Sequence, residues 1–294
     1  MQNGKENKKR LIDLAATSKP ILVPGAFDAL SARIAELEGF ECVIVSGYAT
    51  SASLLALPDF GLLTQTEVAR TAQYIAQAVN IPVICDADTG YGGPINVIRT
   101  VKELEKAGVQ GMIIEDQLWP KRCGHMVGKK IIPMQEYEQK LLAALETRKD
   151  PDAFLVIART DARGPVTLDE AILRANRYRE LGADVIFVEA PQSKEELRII
   201  RDSVEGPLVA NMIEGGLTPI LSLAEFEELG YQFVGFVLSS IFAAASAIKA
   251  VLSELKAKGT TIGYEGNLAS FDEFTKLVQL PETFALEQKY SLKE

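Results

Sequence analysis

The sequence predicts an α/β protein built as one (β/α)8 barrel of the TIM type. Three observations carry this. Short apolar, β-rich runs alternate with longer segments of helical period. Eight such units suit a closed barrel, a fold of roughly 250 residues. No G-x-G-x-x-G follows the first apolar run, where a doubly wound dinucleotide-binding sheet would carry it.

The strands are expected at residues 21–23, 42–45, 83–85, 111–114, 154–158, 185–188, 208–210 and 233–236. Turn pairs without chemistry, such as Lys19-Pro20, Ile81-Pro82 and Gly206-Pro207, introduce several of them. The clearest helices are expected over 67–79, 95–107, 135–148, 168–181 and 194–202. In the fourth of these, Leu168, Ile172, Ala175, Tyr178 and Leu181 recur every three or four positions and make one apolar face. Thr167 followed by Asp169-Glu170 reads as a capped, acid-rich first turn. Gly108, Gly182 and Gly230 suit left-handed helix ends. Residues 241–251 form an apolar run interrupted by Ser246 and Lys249, which suits a buried helix. Pro and Gly are scattered rather than gathered into a linker, so 1–294 reads as a single barrel domain. Residues 259–294 form a C-terminal tail with a short helix candidate at 271–277. A complete barrel has no room for its apolar residues, so they are expected to pack outside it or on a partner subunit.

Of the 294 residues 47% are hydrophobic, ample for a full core, and the formal net charge is −9. That charge argues against a nucleic-acid partner, which needs a basic footprint. Residues 1–10 are polar and basic with no apolar stretch behind them, so no secretory signal is expected. No apolar run approaches the roughly 18 residues of a membrane span. Cys42, Cys85 and Cys123 are an odd, widely spaced set that suits a reducing cytoplasm. Cys42 and Cys85 lie inside apolar runs and read as core.

Polar residues close almost every expected strand. Ser46-Gly47 follow the second, Asp86 and Asp88 the third, and Glu115-Asp116 the fourth. Arg159 and Asp161 follow the fifth, Glu189 the sixth, and Asn211 and Glu214 the seventh. In a barrel these ends share one mouth, where the catalytic groups of the fold sit. Asp86 and Asp88, two apart, face the same side of an extended strand. With Glu115 and Asp59 they offer hard oxygen donors and no His or Cys, a set that suits Mg2+ or Mn2+. The alternative is that Asp86 and Asp88 pair with Arg159 or Lys121 as plain ion pairs. Ser46-Gly47-Tyr48 offers N–H groups and a hydroxyl for the carboxylate or carbonyl of a small acid. Gly90-Tyr91-Gly92-Gly93-Pro94 reads as a compact turn, with a phosphate cradle as the alternative.

Lys121-Arg122-Cys123-Gly124-His125 holds the one histidine of the chain. The flanking cations are expected to lower the pKa of Cys123 and keep it reactive. Residues 121–130 are polar, glycine-rich and without helical period, and read as a mobile lid. Cys123 and His125 are too close in sequence for a papain-like dyad to be assumed, so the simpler role for the thiol is proton donor.

These residues also resemble a known family. The stretches are Pro24-Gly25-Ala26-Phe27-Asp28-Ala29, Val45-Ser46-Gly47-Tyr48, Pro58-Asp59, Asp86-Ala87-Asp88-Thr89-Gly90-Tyr91-Gly92, Ile114-Glu115-Asp116-Gln117, Lys121 to His125, Ala158-Arg159-Thr160-Asp161 and Asn211-Met212. Over about residues 10–260 they resemble the isocitrate lyase/phosphoenolpyruvate mutase superfamily. The Cys loop is similar to that of the lyase branch, such as 2-methylisocitrate lyase and 2,3-dimethylmalate lyase. Branches acting on phosphonates, and the related oxaloacetate decarboxylases, generally carry other residues at the position of Cys123. The stretch 211–216 departs from the Glu-Phe-Gly of a typical methylisocitrate lyase. It is closer to the dimethylmalate lyase, petal death protein and oxaloacetate hydrolase group.

The resemblance implies a TIM-type barrel whose C-terminal helix is exchanged between subunits of a homo-oligomer, a dimer or a tetramer. It implies Mg2+ (or Mn2+) near Asp59, Asp86, Asp88 and Glu115. The implied substrate is a 2-hydroxy dicarboxylate held by Ser46, Gly47, Tyr48, Gly124, Arg159 and Asn211. The implied reaction cleaves it to pyruvate, or a homologue, plus a carboxylic acid. Cys123 would protonate the leaving carbon, with Lys121, Arg122, His125, Arg159 and Glu189 around it. The base for the 2-hydroxyl stays open among Tyr48, Glu189 and a metal-bound water. Oxaloacetate hydrolysis, or rearrangement of carboxyphosphonoenolpyruvate or phosphoenolpyruvate by a phosphonomutase, are the enzymatic alternatives. A non-enzymatic scaffold would have no reason to keep such a mouth.

Overall fold

Eight short parallel strands pair in sequence order, and the last returns to the first. They are β1 (Ile21–Ala26), β2 (Val43–Val45), β3 (Val83–Asp86), β4 (Gly111–Glu115), β5 (Leu155–Thr160), β6 (Val185–Val188), β7 (Leu208–Asn211) and β8 (Phe233–Phe236). The sheet is a closed barrel, as the sequence predicts, with β8 against β1 through Ile21↔Phe233 and Val23↔Gly235. The computed structural model describes residues 10–291. The polar start of the chain, residues 1–10, lies outside them except for Arg10, as do the last three residues of the tail.

Helices follow the strands: α1 (Leu11–Ala15), α2 (Ala29–Leu37), α3 (Gly47–Leu55), α4 (Gln65–Ala78), α5 (Pro94–Ala107), α6 (Met134–Thr147), α7 (Leu168–Glu180), α8 (Lys194–Ser203), α9 (Leu223–Leu229), α10 (Ser239–Lys258), α11 (Phe271–Leu277) and α12 (Leu280–Tyr290). The local signals act as expected. Thr167 caps α7 by accepting from the Glu170 N–H, and Gly108 and Gly230 end α5 and α9 at φ 90° and 81°. Gly90, Tyr91 and Gly92 form the compact turn before α5, all at positive φ.

Side chains alternate along each strand between two cores. Ile21, Val23, Ile44, Ile84, Ile113, Leu155, Ile157, Val185, Phe187 and Phe233 fill the barrel interior, and Leu11 and Leu14 of α1 pack with them. The Leu11 N–H donates to the Gln110 side chain at 2.9 Å, which fixes α1 at the start of β4. The opposite faces of the strands, among them Val43, Val83, Met112, Ile114 and Val156, pack under the helices. Each fully buried branched side chain stabilises the fold by roughly 1.5–3 kcal/mol. Cys42 and Cys85 are fully buried in these cores, as the sequence implies.

The chain divides into two compact units, one ending at Ile241 and the other beginning at Phe242. The second holds most of α10, then α11 and α12, and no described residue in it is buried. The expected buried helix at 241–251 is therefore corrected: the helix exists, but Ile248 and Leu252 are exposed, both 57%. These helices bury no residue between them. Among the described residues no helix is long and apolar enough to cross a membrane.

Candidate active site

The period-2 alternation that fills the barrel with aliphatic groups also furnishes its mouth. Two residues beyond Ile44 stands Ser46, beyond Ile84 stands Asp86, and beyond Ile113 stands Glu115. Arg159 lies two beyond Ile157, Glu189 two beyond Phe187 and Asn211 two beyond Val209. The register does the rest. Glu115 lies directly opposite Arg159 in the β4–β5 pair, and Arg159 opposite Phe187 in the next. A cavity of about 50 Å3 runs down from Ser46, Asp86, Arg159 and Asn211 to Ile84, Ile113, Ile157 and Phe233.

One side of the mouth is acidic. Ser46 caps α3, and Gly47 opens the helix directly over Asp86 and Asp88. A Cβ on Gly47 would fall 2.9 Å from Asp86 Oδ2 and 3.4 Å from Asp88 Oδ1. The positive end of α3 thus faces two carboxylates. Lys121 Nζ lies 2.6 Å from both Asp59 Oδ1 and Asp88 Oδ1. Burial pushes Asp88 up to about 7 against the pull of Lys121, with Asp86 and Asp59 adding to the rise. Burial likewise raises Glu115 well above the usual carboxylate range, against the opposing charge of Arg159, 3.3 Å away.

The four acids expected to hold a cation therefore share one mouth without converging on one point. Among the described residues no three His, Cys, Asp or Glu side chains form a metal-ligand cluster. The ion-pair alternative holds for Asp88, which pairs with Lys121, while Asp86 has no ion pair among the described residues; Asp59 shares the same ammonium. The donor set still fits a hard divalent cation. Both Glu115 oxygens are buried without a hydrogen-bond partner. The mouth sets Asp59, Asp86, Asp88, Glu115, Asp161 and Glu189 against Lys121, Arg159 and Lys129, a surplus of carboxylates over cations. A dianionic ligand would be repelled from it without added positive charge.

The other side is the Cys loop. Its stem closes through a Gln117↔Ile131 bridge and a Leu118 N–H to Lys130 carbonyl bond of 2.8 Å. The Cys123 N–H donates to the Asp59 carbonyl at 3.2 Å, which joins the loop to the acidic side. Gly124 lies flat on the polar floor. A Cβ there would overlap the Glu189 carboxylate and stand 2.5 Å from Arg159 Nη2. His125 Nδ1 accepts from the Leu217 N–H at 2.9 Å, so the ring proton sits on Nε2, 3.2 Å from Glu189 Oε1.

The structure corrects how this loop works. Burial pushes the Cys123 thiol up to about 11, opposed by the His125 backbone N–H and reinforced by Glu189. It is not a lowered, reactive thiol. Lys121 is spent on Asp59 and Asp88. Arg122 donates to the Val127 carbonyl at 3.0 Å and lies over the Phe60 ring, so its charge faces away. The nearer cation is Arg159. Its Nε and Nη2 bond Asp161 at 2.9 and 3.0 Å, and its Nη2 lies 3.8 Å from Glu189. Burial would raise Glu189, but Arg159 and His125 outweigh it and hold the carboxyl below its ordinary value. Asn211 Nδ2 donates to Glu189 at 3.4 Å. Tyr48, at the start of α3, has its hydroxyl raised by burial and by Cys123 and Asp59.

Two groups carry more than their sequence signal suggests. Asp116 is fully buried and accepts from Thr160 Oγ1 (2.8 Å), the Asp161 N–H (2.8 Å), Tyr178 (2.9 Å) and Arg174 (3.1 Å). It fixes the end of β5 from behind. Lys129 bonds Asp161 at 2.9 Å. Asp116 and Asp161 show in the sequence as strand-end acids, but their buried partner Arg174, on the inward face of α7, does not.

With this geometry in view, comparison with known proteins assigns the class. Residues 11–256 match the phosphoenolpyruvate phosphomutase family model, and the chain belongs to that family of enzymes, within the isocitrate lyase/phosphoenolpyruvate mutase superfamily. It is 48% identical over 271 residues to the petal death protein of Dianthus caryophyllus, covering 92% of this chain and 85% of that one. It is 44% identical over 282 residues to 2,3-dimethylmalate lyase of Eubacterium barkeri, covering 96% and 97%. Among solved structures, an oxaloacetate acetylhydrolase with bound 3,3-difluorooxalacetate matches with TM-score 0.90 at 33% identity, over 97% of each chain. A phosphonopyruvate hydrolase complexed with oxalate and Mg2+ matches with TM-score 0.86 at 29% identity, over 95% of this chain and 97% of that one.

Proposed function

We propose that this enzyme is a Mg2+-dependent carbon–carbon lyase with Cys123 as proton donor, in which Mn2+ can substitute. Its substrate is a 2-hydroxy dicarboxylate of the 2,3-dimethylmalate or 2-methylisocitrate type. The products are a 2-oxo acid, pyruvate or a homologue, and a carboxylic acid. The observation that carries this reading is the placement of the thiol. Cys123 is buried at the mouth with its N–H on the Asp59 carbonyl, burial pushes its thiol up, and the neighbouring imidazole accepts from the Leu217 N–H at Nδ1 and turns Nε2 to within 3.2 Å of Glu189. A buried, protonated thiol beside the reacting centre suits an acid. The identity to a 2,3-dimethylmalate lyase along nearly the whole chain supports the substrate class.

Asp59, Asp86, Asp88 and Glu115 would hold the cation. When bound, it would offset their charge, favour ionisation of the 2-hydroxyl and draw in the substrate's carboxylate. Ser46 and the N–H groups opening α3 at Gly47 and Tyr48 hold that end of the substrate. Glu189, kept ionised by Arg159 and His125, accepts the hydroxyl proton. The oxygen's electron pair forms the C2 carbonyl, and the C2–C3 bond breaks. Its electrons pass to C3 and the adjoining carboxylate, where the Arg159 guanidinium, held by Asp161 and close to Glu189, faces the growing charge. The Cys123 S–H gives its proton to C3 and leaves a thiolate. The proton held by Glu189 restores it through solvent. Gly124, closed onto Glu189 and Arg159, keeps bulk water from the carbanion.

The same reading makes the enzyme a cytoplasmic homo-oligomer, a dimer or a tetramer, with the region of α10 exchanged between subunits. Three free cysteines and an unburied apolar second unit support it. A panel of 2-hydroxy dicarboxylates, oxaloacetate and phosphonopyruvate tests the reaction, with pyruvate homologues, oxalate and phosphonates as detected products. A 2-oxo acid should form from a 2-hydroxy dicarboxylate, stop with EDTA and resume with Mg2+. Oxalate from oxaloacetate alone would replace the lyase with a hydrolase, and phosphonate rearrangement would replace it with a mutase.

A further inference from the structure

Lys129 is buried, 3% exposed at its side chain, at the far end of the Cys loop. A buried ammonium is costly unless it is fully paired. Its partners here come from two different elements. Nζ bonds the Gly124 carbonyl within the loop and Asp161 Oδ1 beyond β5, the latter at 2.9 Å. Asp161 in turn holds Arg159 by two bonds, and Asp116 fixes the Asp161 backbone from behind. The loop residue next to Cys123 is thereby pinned to the group that grips Arg159.

We infer that Lys129 is a positioning residue, a latch that holds the Cys123 loop closed and sets the thiol at a fixed distance from Arg159. The inference rests on the reading of Cys123 as proton donor. The latch uses one buried ion pair and one charge-assisted bond to a backbone carbonyl, so its loss frees the loop without removing any group that touches substrate. Because Asp161 serves Lys129 and Arg159 together, closure and the placing of Arg159 share one carboxylate. The role of Lys129 belongs to geometry, and it should show in catalytic turnover more than in substrate binding.

Iodoacetamide alkylation of the three cysteines, followed by peptide mass, tests this on the full chain without substrate. In Lys129→Met, alkylation of Cys123 should speed up about tenfold or more while Cys42 and Cys85 stay protected. Turnover should fall about tenfold or more with KM changed less than about threefold, and Lys129→Arg should restore most of both. If Lys129→Met does not fold, Lys129→Gln, which keeps a donor for the Gly124 carbonyl, should show a smaller rise at Cys123 alone. An unchanged Cys123 rate in a folded variant overturns the latch, as does equal exposure of all three cysteines. Wild-type enzyme without lyase activity would instead overturn the reaction, and the alkylation result would still judge the latch.

Discussion

Burial, not the charged neighbours, sets the chemistry of Cys123. Removing about nine-tenths of the residue from water disfavours the thiolate more than the nearby N–H and Arg159 favour it, and the thiol rises from 9.0 to about 11. An acid must be protonated to act, so kcat should hold up to the alkaline range and fall as pH passes about 11. The stability sign is the same. A group whose folded pKa is raised stabilises fully below its ordinary value of 9.0 and loses that contribution as pH climbs towards about 11. Turnover and unfolding profiles across that window check both. Cys123→Ser should lower kcat by roughly 10²–10⁴-fold with KM within a fewfold, since a hydroxyl is the poorer acid. Unimpaired turnover in that variant would remove the donor role.

At the level of elements, the loop and β5 are fitted to each other with no slack. Gly124→Ala places a methyl group on the Glu189 carboxylate and Arg159, and the loop must lift. Turnover should drop by about 10²-fold for a displacement of this size, with little change in melting temperature, because the loop lies outside the two cores. Asp116→Asn tests the support behind β5. It removes one of the two carboxylates that pair with the buried Arg174, Glu170 staying at 2.7 Å, and should cost about 1.5–3 kcal/mol in denaturant unfolding. A cost under about 1 kcal/mol would show that Glu170, Tyr178 and the Ile132 carbonyl satisfy Arg174 without it.

For the whole molecule the balance of charge and of apolar surface decides behaviour. The mouth has more carboxylates than cations, so added Mg2+ should raise the melting temperature and EDTA should reverse the gain. Asp86→Asn, which removes one donor, should weaken that response about tenfold or more in the Mg2+ needed. Phe271, Ile262 and Phe284 stand 85%, 76% and 57% exposed in the second unit. Surfaces of this kind mark contacts with partners. Sedimentation at micromolar concentration should therefore give a multimer, and a monomer would sink the exchanged-helix reading.

The sequence by itself determined the barrel and which polar residues close most of its strands. Alternation with period 2 is local, so a run such as Gly111–Glu115 announces its strand, its inner face and its terminal acid together. Helix punctuation at Thr167, Gly108 and Gly230 was legible for the same reason. Strand ends such as Arg159 and Thr160 escaped the reading because pairing across the barrel, not apolar character, carries β5 that far. Only the tertiary structure decided the roles inside the mouth. Lys121 precedes Cys123 yet faces Asp59 and Asp88, and Arg122 turns to Val127, while Arg159, far along the chain, acts on the thiol. Charge is felt through space and burial is a property of the whole packing, so no reading of neighbours along the chain could have shown that Cys123 is held protonated or that Lys129 fastens its loop.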